Sequence, residues 1–175
     1  MDDKKKDILR ARALALAKTP RSEDIGADQT IEVLEFALGN ERYGFETKNT
    51  NEVHPLRMYT SLPGTPPFIL GIMNLRGQIL SIFDLSRFLE LPLTNGSSSD
   101  DTNRKVIVAR TEGLELGILV DSVFGIKRIK TTELETSLPS LTGRQSEFLS
   151  GVTQDRITIL NLEKLLRNKD IIVGG

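Results

Sequence analysis

From Ile31 onward, apolar residues recur at every second position in short runs, and each run ends in turn-forming residues. Leu34, Phe36 and Leu38 alternate with Glu35 and Ala37 before Gly39-Asn40. Leu114, Leu116, Ile118 and Val120 alternate after Thr111-Glu112-Gly113. A period of two sends successive side chains to opposite faces, as a pleated strand does and a helix does not. Further runs at Arg42–Phe45, Phe68–Met73, Ile79–Leu85, Lys105–Ala109, Val123–Ile129 and Ile157–Leu160 extend the series to about nine or ten short strands. Strands of this length and spacing point to small closed barrels or a sandwich.

Helical signals lie at the ends and at one crossing. Lys4 to Ala17 is rich in Ala, Leu, Lys and Arg, with Leu9, Ala13 and Leu16 on one face, and Pro20 stops it. It reads as a terminal helix packed on its own domain, with a partner-binding arm as the alternative. Leu85–Leu91 reads as one or two helical turns. Asn161 caps a closing helix carrying Leu162, Leu165 and Leu166. The residues from Arg21 to Thr30 form a polar linker. Pro92 to Asn103 and Glu133 to Leu149 read as loops, and Glu46 to Val53 as a short helix or an irregular connection.

The stretch from Leu62 to Leu91 carries the most local information. Its prolines, Pro63, Pro66 and Pro67, fix the entry. Gly71 interrupts an apolar run, the mark of a bulge or of close approach by another segment. Asn74-Leu75-Arg76-Gly77 then turns the chain and sets one cation, Arg76, between two segments that both favour burial. Such an arginine needs a partner or an exit to water.

Bulk properties close off several function classes. The 175 residues suit one domain or two very small ones. With no cysteine, disulfides and thiolate metal sites are excluded. A net charge of −1 with interspersed signs argues against nucleic-acid binding, which needs a basic face. No apolar run approaches the ~20 residues of a membrane span. The N-terminus lacks the apolar core of a secretory signal, so a soluble cytoplasmic protein is expected, with no direct membrane insertion.

Catalytic constellations are missing. His54, the only histidine, cannot build a histidine metal cluster or a triad with a second imidazole, and beside Pro55 it reads as a surface residue. Asp84 and Asp121 sit at strand ends, where bonding to backbone amides is the plain reading and a carboxylate pair the sharper one. Gly64-Thr65-Pro66-Pro67 lacks the lysine and helix of a phosphate loop. Arg144, in Gly143-Arg144-Gln145-Ser146, is an isolated loop cation. Spacing alone gives no reason to pair Arg76 with Glu52. A small-ligand-binding or catalytic barrel built on Asp84, Asp121 and Arg76 stands as the runner-up reading.

Taken together, these residues resemble the CheW family of chemotaxis coupling proteins. The resemblance runs from about Ile31 to Leu166. It rests on Phe36-Ala37-Leu38-Gly39-Asn40-Glu41-Arg42-Tyr43-Gly44, on Pro67 to Gly77, on Ile82-Phe83-Asp84-Leu85, on Leu116 to Val123, and on Phe148-Leu149-Ser150-Gly151-Val152 with Leu162 to Leu166. Its strongest element is Asn-Leu-Arg-Gly after Gly-Ile-Met. The resemblance implies two packed five-stranded SH3-like β-barrels over residues 30–168, an N-terminal helix and linker over 1–29, a short C-terminal helix and a tail over 169–175. It implies an adaptor without catalysis, cofactor or metal. Such an adaptor bridges the cytoplasmic tip of methyl-accepting chemoreceptors to the regulatory domain of a CheA-type histidine kinase. It assigns partner contacts to Glu52, Gly71, Asn74, Arg76, Gly77, Val123 and Ile126. Glu52 falls on the family glutamate that pairs with the turn arginine, and Val123 and Ile126 fall in the groove that receives the receptor helix. The chain departs from the family pattern at Thr47 and Thr50, where apolar residues are usual, at Ser81, where proline is usual, and in the short segment Thr153-Gln154-Asp155-Arg156. These departures suggest a variant scaffold of a non-flagellar array, such as one controlling surface motility.

Overall fold

The computed structural model describes residues 29–92 and 103–172. The expected N-terminal helix and most of the Pro92–Asn103 loop lie outside these. The chain runs β1 (Thr30–Leu38), β2 (Glu41–Glu46), β3 (Thr50–Pro55), β4 (Ile69–Leu75), β5 (Gln78–Asp84), α1 (Leu85–Phe88), β6 (Lys105–Thr111), β7 (Leu114–Val120), β8 (Ser122–Lys130), α2 (Arg144–Glu147), β9 (Leu149–Val152), β10 (Ile157–Leu160) and α3 (Leu162–Leu166). The Glu46–Val53 segment, expected as a short helix or an irregular connection, is a single 3-10 turn at Thr47–Asn49 followed by strand β3. Its polar residues hid a period of two, because the half-buried side of β3 carries Thr50, Glu52 and His54 in place of an apolar stripe.

The strands form two five-stranded sheets, ordered β8-β1-β2-β10-β9 and β3-β6-β7-β5-β4. In the first, Glu135, beyond β8, pairs with Val152 of β9. In the second, Thr60, beyond β3, pairs with Ile72 of β4. Each pairing links the two ends of its sheet and closes a barrel.

The two barrels repeat one plan. Each has one parallel pair, β2 with β10 and β5 with β7, flanked by antiparallel hairpins. In each, a residue at the end of a strand or directly after it caps the short helix that follows. Asp84 accepts from the amide of Arg87 at 3.2 Å, and Asn161 accepts from that of Lys164 at 2.9 Å. On this correspondence β8, β9, β10, β1 and β2 of the first barrel match β3, β4, β5, β6 and β7 of the second. The weak sequence echo between Phe68-Ile69-Leu70-Gly71 and Phe148-Leu149-Ser150-Gly151 is the visible trace of this plan. The chain starts in the first barrel, crosses to the second after β2 and returns after β7.

Strand alternation divides the core. Val106, Val108 and Leu119 pack inside the second barrel with Leu56, Met73, Leu80 and Ile82. Their neighbours Ile107, Ala109, Ile118 and Val120 join the largest cluster, which also contains Phe36, Tyr43, Phe45, Leu160, Leu165 and Leu166 from the first barrel. The largest apolar core therefore lies between the barrels. The barrel interiors are narrow. A side chain on Gly44 would run into Val33 and Ile159, and one on Gly117 into Val106 and Ile82, at matching positions. Both faces of β1 are covered at Glu35, which is buried and held by an ion pair to Arg42.

Candidate functional site

The turn between β4 and β5 is a two-residue hairpin loop in which Arg76 and Gly77 both have positive φ, 52° and 86°. This twist matches that of the flanking strands. Asn74 stabilises it, its side-chain oxygen accepting from the amide of Gly77 at 2.8 Å. The geometry turns the Arg76 guanidinium onto Glu52 of β3, with Nη2 3.2 Å from Oε2 and Nη1 3.4 Å from Oε1. The expected Glu52–Arg76 pair is thus formed, but at the surface. Arg76 is 72% exposed, so water reaches the pair.

His54 joins the same carboxylate, its Nε2 lying 2.7 Å from Glu52 Oε2. It is a half-buried member of the cluster, not a free surface residue. The signal was present in the sequence: Glu52 and His54 are two apart on a strand and therefore share a face. Behind the hairpin, Gly71 lies directly against the Thr60 carbonyl where the barrel closes, so the close approach expected of it is the barrel seam. Glu52, Gly71, Asn74, Arg76 and Gly77 thus gather along β3, β4 and β5 of the second barrel.

Val123 and Ile126 stand apart from that group, on β8 of the first barrel. Val123 packs on the shared core, and Ile126 is 65% exposed. Beside them Phe124 is bulged out of register with β1 and lies under the Arg42 guanidinium, 4.9 Å from ring centroid to Cζ. In the repeated plan Ile126 corresponds to Val53 of β3, which is also exposed, and Val123 corresponds to Thr50. Val53 is an apolar surface residue that the sequence reading did not single out, because its segment was not recognised as a strand.

Asp84 and Asp121 do bond to backbone amides. Asp84 caps α1, and Asp121 accepts from the amide of Gly39 at 2.6 Å. Arg76 lies just before β5 and Asp84 at its far end, roughly 20 Å of strand apart. The three-residue pocket of the runner-up reading is therefore not assembled. Arg144, read from sequence as an isolated loop cation, sits 4.2 Å above the Phe88 ring and pairs with Asp170, tying α2 to the end of α1 and to the C-terminal segment. Among the described residues no cluster of acidic or histidine side chains could hold a metal ion.

The family model for the CheW-like domain matches residues 32–170. The chain belongs to the CheW-like family. It is 32% identical to the chemotaxis protein CheW of Thermotoga maritima over 146 residues, covering 82% of this chain and 93% of that one. It is 33% identical to protein FrzA of Myxococcus xanthus over 139 residues, covering 75% and 82%, and 29% identical to protein PilI of Pseudomonas aeruginosa, covering 82% and 76%. The crystal structure of the scaffolding protein TtCheW from Thermoanaerobacter tengcongensis superposes with a TM-score of 0.68 at 28% identity, covering 81% of this chain and 96% of that one. The two-barrel architecture is thus that of a CheW scaffold.

Proposed function

We propose that the chain is a coupling adaptor of a chemosensory array, linking chemoreceptors to a CheA-type histidine kinase without chemistry of its own. CheW-like proteins are scaffolds, and the relatives bear the names of chemotaxis and scaffolding proteins. The observation that carries the reading is the presence of two unlike surfaces on one doubly closed body. One is the hairpin edge built on Glu52, Gly71, Asn74, Arg76 and Gly77, the proposed contact for the kinase regulatory domain. The other is the apolar strand surface at half-buried Val123 and exposed Ile126, the proposed seat of the receptor tip helix. Val53, at the matching position on β3, supplies the apolar surface that Thr47 and Thr50 lack. The adaptor acts in the cytoplasm, and no helix among the described residues is long and apolar enough to cross a membrane.

Binding experiments with each partner separately test this. Arg76→Glu should abolish binding of the kinase regulatory domain and spare the receptor tip, and Ile126→Asp should do the reverse. Absence of binding to either partner by the unaltered chain would sink the proposal. A second reading, a scaffold for a non-flagellar array, is favoured by comparable likeness to FrzA and PilI, and preferential binding to a kinase other than the flagellar one would establish it.

A further inference from the structure

The repeated plan brings the chain across from one barrel to the other twice, and the two crossings are held differently. At the β7–β8 crossing, Asp121 is gripped from both sides. From the first barrel, the Gly39 amide donates to its carboxylate at 2.6 Å, and its own amide donates to the Ala37 carbonyl at 3.1 Å. From the second barrel, Arg104 Nε lies 3.3 Å from Asp121 Oδ1, and Arg104 Nη2 lies 3.6 Å from Oδ2 of Asp84. Asp84 is itself fixed as the cap of α1, with a side chain 4% exposed. At the β2–β3 crossing the 3-10 turn Thr47–Asn49 has no side-chain cap. Its local bonds are Thr50 Oγ1 to the Thr47 carbonyl at 3.1 Å and an exposed Lys48–Glu46 pair at 2.9 Å. The Arg104 contacts are ion pairs, and among half-buried groups such pairs are screened less by water and salt than exposed pairs, which contribute little.

We infer that Arg104 is a positioning residue: bridging Asp84 and Asp121, it pins the β7–β8 crossing and narrows the range of angles that the shared apolar core allows between the barrels, while the crossing at Thr47–Asn49 is the less firmly held of the two. The distance between the hairpin edge at Arg76 and the apolar strand at Ile126 then depends on a residue that touches neither. This deepens the coupling reading, on which its functional weight rests. An adaptor transmits a receptor's state only if its two contact surfaces keep a set relation or change it in a defined way.

The chain has no cysteine, so paired spin labels at Glu112→Cys in the β6–β7 turn and Gln154→Cys in the β9–β10 turn report the inter-barrel distance without background. The labelled chain should give one narrow distance distribution. Arg104→Gln should broaden it by half or more, Asp121→Asn should broaden it similarly, and the two together should add nothing further. Arg104→Lys should restore most of the sharpness. Arg87→Gln, which removes an exposed contact to the same Asp84 carboxylate, should leave it unchanged. Identical distributions in the parent and in every folded variant at Arg104 or Asp121 would overturn the inference, as would equal broadening by Arg87→Gln. Asp121→Asn decides the matter should Arg104→Gln fail to fold. The measurement uses the protein alone, so failure of the chain to bind a kinase or receptor would defeat the coupling reading and leave the distance result standing.

Discussion

Replacing Gly71 with alanine should open the seam of the second barrel. The added methyl would occupy the space of the Thr60 carbonyl, which is backbone and cannot rotate away. Thr60 and Ile72 exchange two backbone hydrogen bonds of 2.8 Å each, and these are the contacts that close the barrel. Losing both costs about 2 kcal/mol at a net contribution of roughly 1 kcal/mol per bond. The backbone at Gly71, with φ of 153°, adds about 1–2 kcal/mol of strain for any side chain. The sum, about 3–4 kcal/mol, is a large share of the ~5–15 kcal/mol that holds a typical domain together. It corresponds to a fall in melting temperature of about 10 °C for a chain of this size. Gly77→Ala is the matched control. Gly77 also has positive φ, at 86°, but nothing lies within 4 Å of where its methyl would go, so about 1 kcal/mol of strain is all that should be lost. Urea unfolding of both variants, followed by circular dichroism, gives the comparison. If Gly71→Ala cost no more than Gly77→Ala, the close contact with Thr60 would not be what requires a glycine there.

Three further predictions follow from the geometry. Glu52→Ala and Arg76→Ala should each change unfolding free energy by less than about 1 kcal/mol, with a coupling of about 0.5 kcal/mol in the double-mutant cycle, because the pair is exposed. A coupling above about 2 kcal/mol would mean a pair far better shielded from water than this. Val53→Asp and Ile126→Asp should leave the melting temperature nearly unchanged and weaken receptor-tip binding at least tenfold, about 1.4 kcal/mol, by isothermal titration; undiminished binding by both would remove β3 and β8 from the receptor site. Tyr43 is fully buried and its hydroxyl donates to Glu41 at 2.5 Å, so burial first and then that carboxylate hold its ionisation well above the ordinary value of 10.0. The folded chain keeps this proton where the unfolded chain releases it. The stabilisation is therefore complete below pH 10 and falls as pH rises past it. Tyr43→Phe should flatten that alkaline loss in urea midpoints measured between about pH 8 and about pH 10.5; an unchanged slope would place the loss elsewhere.

What the sequence made legible depended on whether a signal was local. Period-two runs at Leu34–Leu38 and Leu114–Val120, and turn formers at Gly39 and Gly113, mark strands because the hairpins they build close within a few residues. The caps at Asp84 and Asn161 are equally local. β3 was missed because its pairing partner, β6, lies some fifty residues away and its own surface carries Glu52 and His54 where an apolar stripe would have announced a strand. The burial of Glu35 was not legible for a related reason: it needs the sheet to close into a barrel, which covers the second face of β1. The Glu52–Arg76 pair came from family resemblance and not from spacing. His54 and Arg104, which complete the two charge clusters, carried no resemblance to point to them.

The repeated plan also shows where the two halves differ, and those places lie beside the proposed contacts. Where the interior must be tight, the halves agree: Gly44 with Gly117, Val33 with Val106, and Ile159 with Ile82. At the hairpin tips and at the bulges they diverge. The hairpin tip of the second barrel presents a cation, Arg76, to Glu52 on β3. The longer tip of the first barrel presents an anion, Asp155, to Lys127 on β8, and the lysine beside it holds the Asp155 carboxyl below its ordinary range. The bulged residue is Asn51 in one half and Phe124 in the other. Packing alone would have been satisfied by two like halves, since the interior residues that set barrel width barely differ. Opposite charges at matching tips, and an aromatic set against an amide at matching bulges, give the two barrels different things to recognise, as an adaptor that must not confuse its partners requires.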